Sequence, residues 1–194
     1  MSTKNSNFFS RDCMVQALIQ LLKTKSLSNI TITELTERAG VSRMTYYRNY
    51  HSLDEIFSSY LKDLVESYRQ DVATWPDKGN YNDSRNMLHC YEYFNHYKEF
   101  IACLVQTGLG HLLLQALDSY ILDTYYTEDK GRDFYYTLRA FSGSLYNIYV
   151  TWRIPKNPLK RSYPLSARFI RRFPDLFSIV IQQRTAQNTQ SFII

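Results

Sequence analysis

The chain has 194 residues and a net charge of +5, with 44% hydrophobic and 21% charged residues and only 6 glycines and 5 prolines. That composition excludes default disorder, collagen-like repeats and turn-dense all-β architectures. Aromatics make up 15%, with 17 Tyr and 11 Phe, enough to fill a large core or line a greasy cavity. The charge is uneven: +2 over residues 1–60, −4 over 61–152 and +7 over 153–194. The last segment is read as a solvated face, with a membrane-surface patch or an extra DNA contact as its alternatives. No apolar run approaches the ~18–20 residues of a membrane span. Met1–Asn5 carries no signal-type apolar stretch, and three cysteines (Cys13, Cys90, Cys103) make no disulfide framework. The expected setting is cytoplasmic and reduced, with no membrane partner.

Met14, Ala17, Leu18, Leu21 and Leu22 form one stripe of a helix over residues 9–24. Thr31-Ile32-Thr33-Glu34 has capping-box spacing, and the helix it opens stops at Gly40. Ser42 is the expected N-cap of a third helix carrying Arg43 to Tyr50, with Tyr46 facing the small core. Ser52-Leu53-Asp54-Glu55 repeats the capping-box spacing, and the stripe of Ile56, Phe57, Tyr60, Leu61, Leu64, Val65 and Tyr68 runs on to about residue 72. Residues 75–80 read as a loop, after which Asn82 or Asp83 caps a helix with Met87, Leu88, Tyr91 and Phe94. Phe100–Leu104 and Leu112–Tyr126 follow. Phe134, Leu138, Phe141, Leu145, Ile148 and Trp152 alternate by four and three, a seam suited to helix packing. A last helix is expected over 164–182, interrupted at Pro174. No stretch alternates with period two, so the fold class is all-α.

The chemistry concentrates in the third helix. Two short helices joined at Gly40-Val41-Ser42 make a helix-turn-helix pattern. Arg43, Met44 and Thr45 open its second helix, where base edges of a major groove are read. Arg43 suits a guanine, and the Met44 and Thr45 methyl groups suit a thymine methyl. Tyr47, Arg48 and Asn49 offer donors to phosphate, as do the backbone N–H groups near Leu53 and Asp54. Thr31 and Ser42 complete the expected DNA-binding set.

The run from Thr31 to Tyr50, with its Ala39-Gly40-Val41-Ser42 turn and its Tyr47–x–x–Tyr50 ending, resembles the DNA-binding domain of TetR-family transcriptional regulators over residues 9–60. The resemblance implies that Tyr47 contacts phosphate and that Tyr50 occupies a core phenylalanine position. Asn49 stands where many members have histidine, and Leu53 where many have a lysine that contacts phosphate. It also implies a division into a DNA-binding domain at 1–52 and a helical effector-binding and dimerisation domain at 53–194. The implied function is a ligand-responsive repressor acting as a homodimer on a pseudo-palindromic operator in double-stranded DNA.

Residues Tyr91, Phe94, Leu104, Leu117 and Tyr120 are the expected pocket for a small apolar or aromatic effector. The expected dimer interface is the seam Phe134, Leu138, Phe141, Leu145, Ile148 and Trp152, with Phe169, Phe173, Leu176 and Phe177 from the last helix. His89, His96 and Cys103 step by seven but read as ordinary helix-face residues, so no metal and no other cofactor is expected. No nucleophile elbow, metalloprotease motif or P-loop occurs, and the chain is not expected to be an enzyme. The alternative reading is a helical small-molecule-binding or protein-scaffolding protein that has lost DNA binding.

Overall fold

The computed structural model describes residues 3–75 and 79–153, with side chains from residue 9 to residue 151. Among the described residues the regular structure is entirely helical. Helix α1 spans Thr3–Leu22, α2 Ile32–Ala39, α3 Arg43–Asn49, α4 Leu53–Ala73, α5 Ser84–Asn95, α6 Lys98–Gln106, α7 Gly110–Tyr125 and α8 Gly131–Arg153. Short 3₁₀ turns lie at Leu27–Asn29 and Glu128–Lys130. The helix expected over 164–182 falls outside the described residues.

Local chemistry accounts for most of the boundaries. The Thr31 hydroxyl accepts from Glu34 N–H at 3.2 Å, Ser42 accepts from Thr45 N–H at 3.1 Å, and the Asp83 carboxylate accepts from Arg85 N–H at 2.8 Å. Each satisfies one donor that a helix start leaves unpaired. Gly40 ends α2 with φ +66°, a left-handed backbone that suits glycine. Two details depart from the capping-box expectation. Glu34 does not reach back to Thr31; its Oε1 accepts from Lys25 Nζ at 2.7 Å instead. At α4, Glu55 N–H donates to Ser52 Oγ at 3.2 Å, while Glu55 Oε2 accepts from His51 N–H at 2.7 Å, one residue earlier than the box geometry requires. Helix α1 begins six residues before its expected start, and its first turns are polar.

The helices pack as two compact units. The first gathers the residues up to Gln70 with Tyr97–Tyr120, and the second gathers Asp71–His96 with the described residues from Ile121 on. This packing division is a different cut from the functional one expected at residue 52. In the first unit α1 packs against α2 and α6. Met14, Leu18, Leu35, Ile56, Phe57, Ile101 and Leu104 are fully buried there, each worth roughly 1.5–3 kcal/mol of burial. Val15 and Ile19 are buried as well, so α1 is covered over more of its surface than the single expected stripe. Phe100 from α6 meets the rings of Phe57 and Tyr60 at 5.9 and 4.9 Å.

In the second unit Tyr81, from the loop before α5, lies edge-on to Phe134 and Phe141 of α8 at 5.9 and 5.0 Å. Asn86 donates from Nδ2 to the Tyr125 hydroxyl at 2.8 Å and to the Asn80 carbonyl at 3.3 Å, which satisfies a buried amide. The Tyr149 hydroxyl donates to the Phe94 carbonyl at 3.2 Å, tying α8 to α5.

Candidate nucleic-acid interface

Helix α3 has seven residues, about two turns, and its two faces differ sharply. Tyr46 and Tyr50, four apart, are 1% and 2% exposed, with ring centroids 5.9 Å apart. Met44 and Tyr47 are 73% and 58% exposed. They are two of the four large hydrophobic side chains exposed among the described residues; the others are Phe9 and Tyr136. Arg43 and Arg48 flank them, both exposed, and neither forms an ion pair with a described residue. Cation and aromatic side chains held out together on a short helix suit a duplex: the helix fits a major groove ~12 Å wide, and unpaired guanidinium groups lose no internal partner on meeting phosphate.

The remaining expected DNA-binding residues are partly spent on the fold. Thr31 and Ser42 are exposed, and each uses an oxygen lone pair as a cap, leaving its hydroxyl proton to donate elsewhere. The Thr45 and Ser42 hydroxyl oxygens lie 2.9 Å apart. Asn49 is half-buried and donates from Nδ2 to the Thr45 carbonyl at 2.6 Å. The outward donors on α3 are therefore Arg43, Tyr47 and Arg48. The start of α4, expected to offer backbone N–H groups to a phosphate, carries Asp54 and Glu55 in its first turn. Those two carboxylates set negative charge beside that helix start.

The expected effector residues separate. Leu104 and Tyr120 are buried in the first unit and Leu117 is half-buried there; Tyr120 lies under Tyr68 at 5.2 Å and Arg69 at 5.1 Å. Tyr91 and Phe94 belong to the second unit, with Phe94 buried and Tyr91 6.5 Å from Tyr149. None of the five lines an open groove of about 590 Å³ in the first unit, which is walled by Leu22, Lys25, Leu27, Leu53, Asp54 and Cys103, among others. Burial pushes the Cys103 thiol above its ordinary pKa, so it stays protonated and unreactive at neutral pH.

Of the expected dimer seam, Leu138 and Phe141 are 0% and 1% exposed within a single chain. The Tyr81 ring lies 5.0 Å from that of Phe141, so part of the Phe141 cover comes from its own chain. Phe134, Leu145 and Ile148 are half-buried. The Trp152 side chain, Phe169, Phe173, Leu176 and Phe177 lie outside the described residues. His89 is engaged by Asp71 at 2.5 Å, His96 lies on the second unit and Cys103 on the first. Among the described residues no group of three or more His, Cys, Asp or Glu is placed to hold a metal, and no helix is long and apolar enough to cross a membrane.

Sequence reasoning passed over Arg11. Its guanidinium pairs with Asp63 at 2.8 Å and donates to the Ser59 hydroxyl. Partners 48 and 52 residues away leave no local signature.

Known proteins fit this arrangement. A solved structure of a TetR transcriptional regulator from Rhodococcus sp. RHA1 superposes with a TM-score of 0.53, covering 89% of this chain and 97% of that one at 18% identity. The chain has the TetR-regulator fold. The dihydroxyacetone kinase operon activator DhaS superposes with a TM-score of 0.55, covering 89% and 96% of the two chains at 14% identity. In sequence, 100 residues are 28% identical to an uncharacterized HTH-type transcriptional regulator, YxbF, of Bacillus subtilis strain 168. The match takes in 50% of this chain and 26% of the relative, about a quarter of that protein's length. No protein-family model matches. The Rhodococcus protein and YxbF are named transcriptional regulators, and DhaS an operon activator.

Proposed function

We propose that the chain is a sequence-specific, DNA-binding transcriptional regulator that works as a homodimer. The observation that carries the proposal is the two-faced α3: Tyr46 and Tyr50 buried, with Arg43, Met44, Tyr47 and Arg48 presented outward. Arg43, Met44 and Thr45 meet base edges, while Tyr47 and Arg48 grip phosphate, with the Thr31 and Ser42 hydroxyl groups at the backbone edge and Asn49 contributing a nearby donor. Residues 1–52 are the reading head. Two heads spaced about 34–36 Å apart would reach successive major grooves of a pseudo-palindromic operator.

The residues after 52 serve dimerisation and effector response in this reading. A small apolar or aromatic molecule that binds one spacing of the heads better than another would shift the population between them. Among the expected pocket residues, Tyr91 in the second unit and Leu117 in the first are each half-buried. Repression follows where the operator overlaps a promoter; the similar DhaS is named an operon activator.

The test is selection of duplexes from a randomised pool by the full chain, followed by anisotropy titrations and sedimentation. Selection of one palindromic sequence, with Arg43→Ala relaxing a base position at a cost of ~1–3 kcal/mol, supports the proposal. No enrichment, or a monomer at micromolar concentration, would favour the scaffolding alternative.

A further inference from the structure

We propose that the open groove of the first unit is a binding site for small amphipathic amines, separate from the residues expected to hold an effector. The inference goes beyond the DNA-reading proposal and does not depend on it.

Three helix ends bound the groove. Leu22 closes α1, Leu27 lies in the turn that follows, Leu53 opens α4, and Cys103 sits in the last turn of α6. Cys103 is buried, while the three leucines are only half-buried and keep apolar surface in contact with water. They share one hollow of about 590 Å³, within the ~300–1,000 Å³ of sites that take small organic molecules. An apolar body entering there leaves water together with the leucine surface it covers, which is the favourable half of binding. The wall's hydroxyl groups already have partners. Thr107 donates to the Cys103 carbonyl at 2.8 Å, and the Ser26 and Ser28 hydroxyl oxygens lie 3.1 Å apart.

Charge selects the polar end of the occupant. Lys25 and Asp54 are the charged side chains on the wall. The Lys25 ammonium is held by Glu34 at 2.7 Å, so its charge is already answered. Lys23, next to Leu22, lies 3.7 Å from Glu99, one turn before Cys103 on α6, and that pair cancels as well. Asp54 is exposed and makes no ion pair with a described residue. The groove thus couples an apolar wall to one uncompensated carboxylate. A carboxylate ligand would meet like charge there, a neutral ligand would gain only the apolar contact, and an ammonium gains both. Gln106, exposed and without a side-chain partner among the described residues, offers its amide to a second polar group.

The experiment uses the full chain without DNA at pH 7 and three probes that share one body: phenylbutylamine, phenylbutanol and phenylbutyrate. Each is titrated while the backbone amide signals are followed by NMR. The amine is expected to bind with a Kd of ~1 mM and to move the signals of residues 25–28, 53–54 and 103–107, leaving those of Tyr91 and Phe94 in place. It should bind about threefold to fivefold more tightly than the alcohol, as suits an ion pair at an exposed edge, and more tightly still than the carboxylate. Asp54→Asn should erase the preference for amine over alcohol and leave alcohol binding within about twofold. Leu27→Ala should weaken amine and alcohol alike by about threefold. Equal binding of the three probes, shifts centred elsewhere, or an amine preference that survives Asp54→Asn would overturn the assignment. So would groove signals that move with protein concentration alone, which would seat a second copy of the chain there. The mapping on the parent stands even if Leu27→Ala fails to fold. Because no duplex is involved, failure here leaves the DNA-reading proposal standing, and a chain that selects no duplex leaves this site standing.

Discussion

Replacing Arg48 by alanine offers the most quantitative test of the reading face. The side chain is exposed on α3 and makes no ion pair with a described residue, so its removal breaks no ion pair among the described residues. Stability should stay within ~0.5 kcal/mol of the parent. Binding should not. A cation seated on one B-DNA phosphate contributes ~0.9 to the slope of log K against log salt. Over the decade from 1 M down to 0.1 M salt that amounts to about eightfold, or ~1.2 kcal/mol per recognition helix. A two-headed complex loses both cations, so the slope should fall by ~1.8 and the affinity at 0.1 M by ~60-fold. Anisotropy titrations of a labelled duplex across a salt series measure both quantities at once. Lys25→Ala is the internal control: that ammonium is held by Glu34 at 2.7 Å, and its removal should change the slope less. A folded Arg48→Ala protein with the parent's slope and affinity would refute the assignment of Arg48 to phosphate, and with it this orientation of α3.

Three further outcomes follow from particular contacts. Gly40→Ala should cost ~1–2 kcal/mol, because φ is +66° while an added Cβ would meet nothing within 4 Å, so backbone strain is the whole penalty. A thermal melt should show a fall of ~2–8 °C, and an unchanged midpoint would contradict it. Leu138→Ala, at a fully buried site of the second unit, should cost ~2–5 kcal/mol in denaturant titrations. The loss should be the same at every protein concentration, whereas a loss that disappears on dilution would put Leu138 at a subunit contact. The Asp83 carboxyl is held below its ordinary pKa first by the Arg85 side chain and then by the Arg85 N–H. A depressed carboxyl contributes stability that is present above its unfolded pKa and lost as pH falls through its folded value. Asp83→Asn, which keeps an oxygen acceptor for the cap, should therefore flatten the acid limb of the stability curve by slightly lowering the neutral melts, while melts at pH values where the parent carboxyl is already protonated stay nearly unchanged.

The helix-turn-helix and its outward face were legible because their determinants are local. Thr31, Ser42 and Asp83 cap helices whose N–H groups lie two or three residues away, and Gly40 turns the chain at its own φ. The alternation that buries Tyr46 and Tyr50 and exposes Arg43, Met44 and Tyr47 is a property of 3.6 residues per turn. Local reasoning failed where a distant group competed. Glu34 turned from the expected box to Lys25, nine residues back.

From the amino-acid order alone came the all-α class, the caps, the turn and the outward set on α3, since each depends on neighbours within one helical turn. Periodicity marked Leu138 and Phe141 as apolar, but only packing revealed that both are buried within one chain, with the Tyr81 ring against Phe141. The expected effector residues were chosen by character, yet Tyr91 and Phe94 fold into one unit and Leu104, Leu117 and Tyr120 into the other. Arg11 meets Ser59 and Asp63 across about fifty residues. Those pairings are set by which surfaces exclude water together, and no spacing within the chain encodes that.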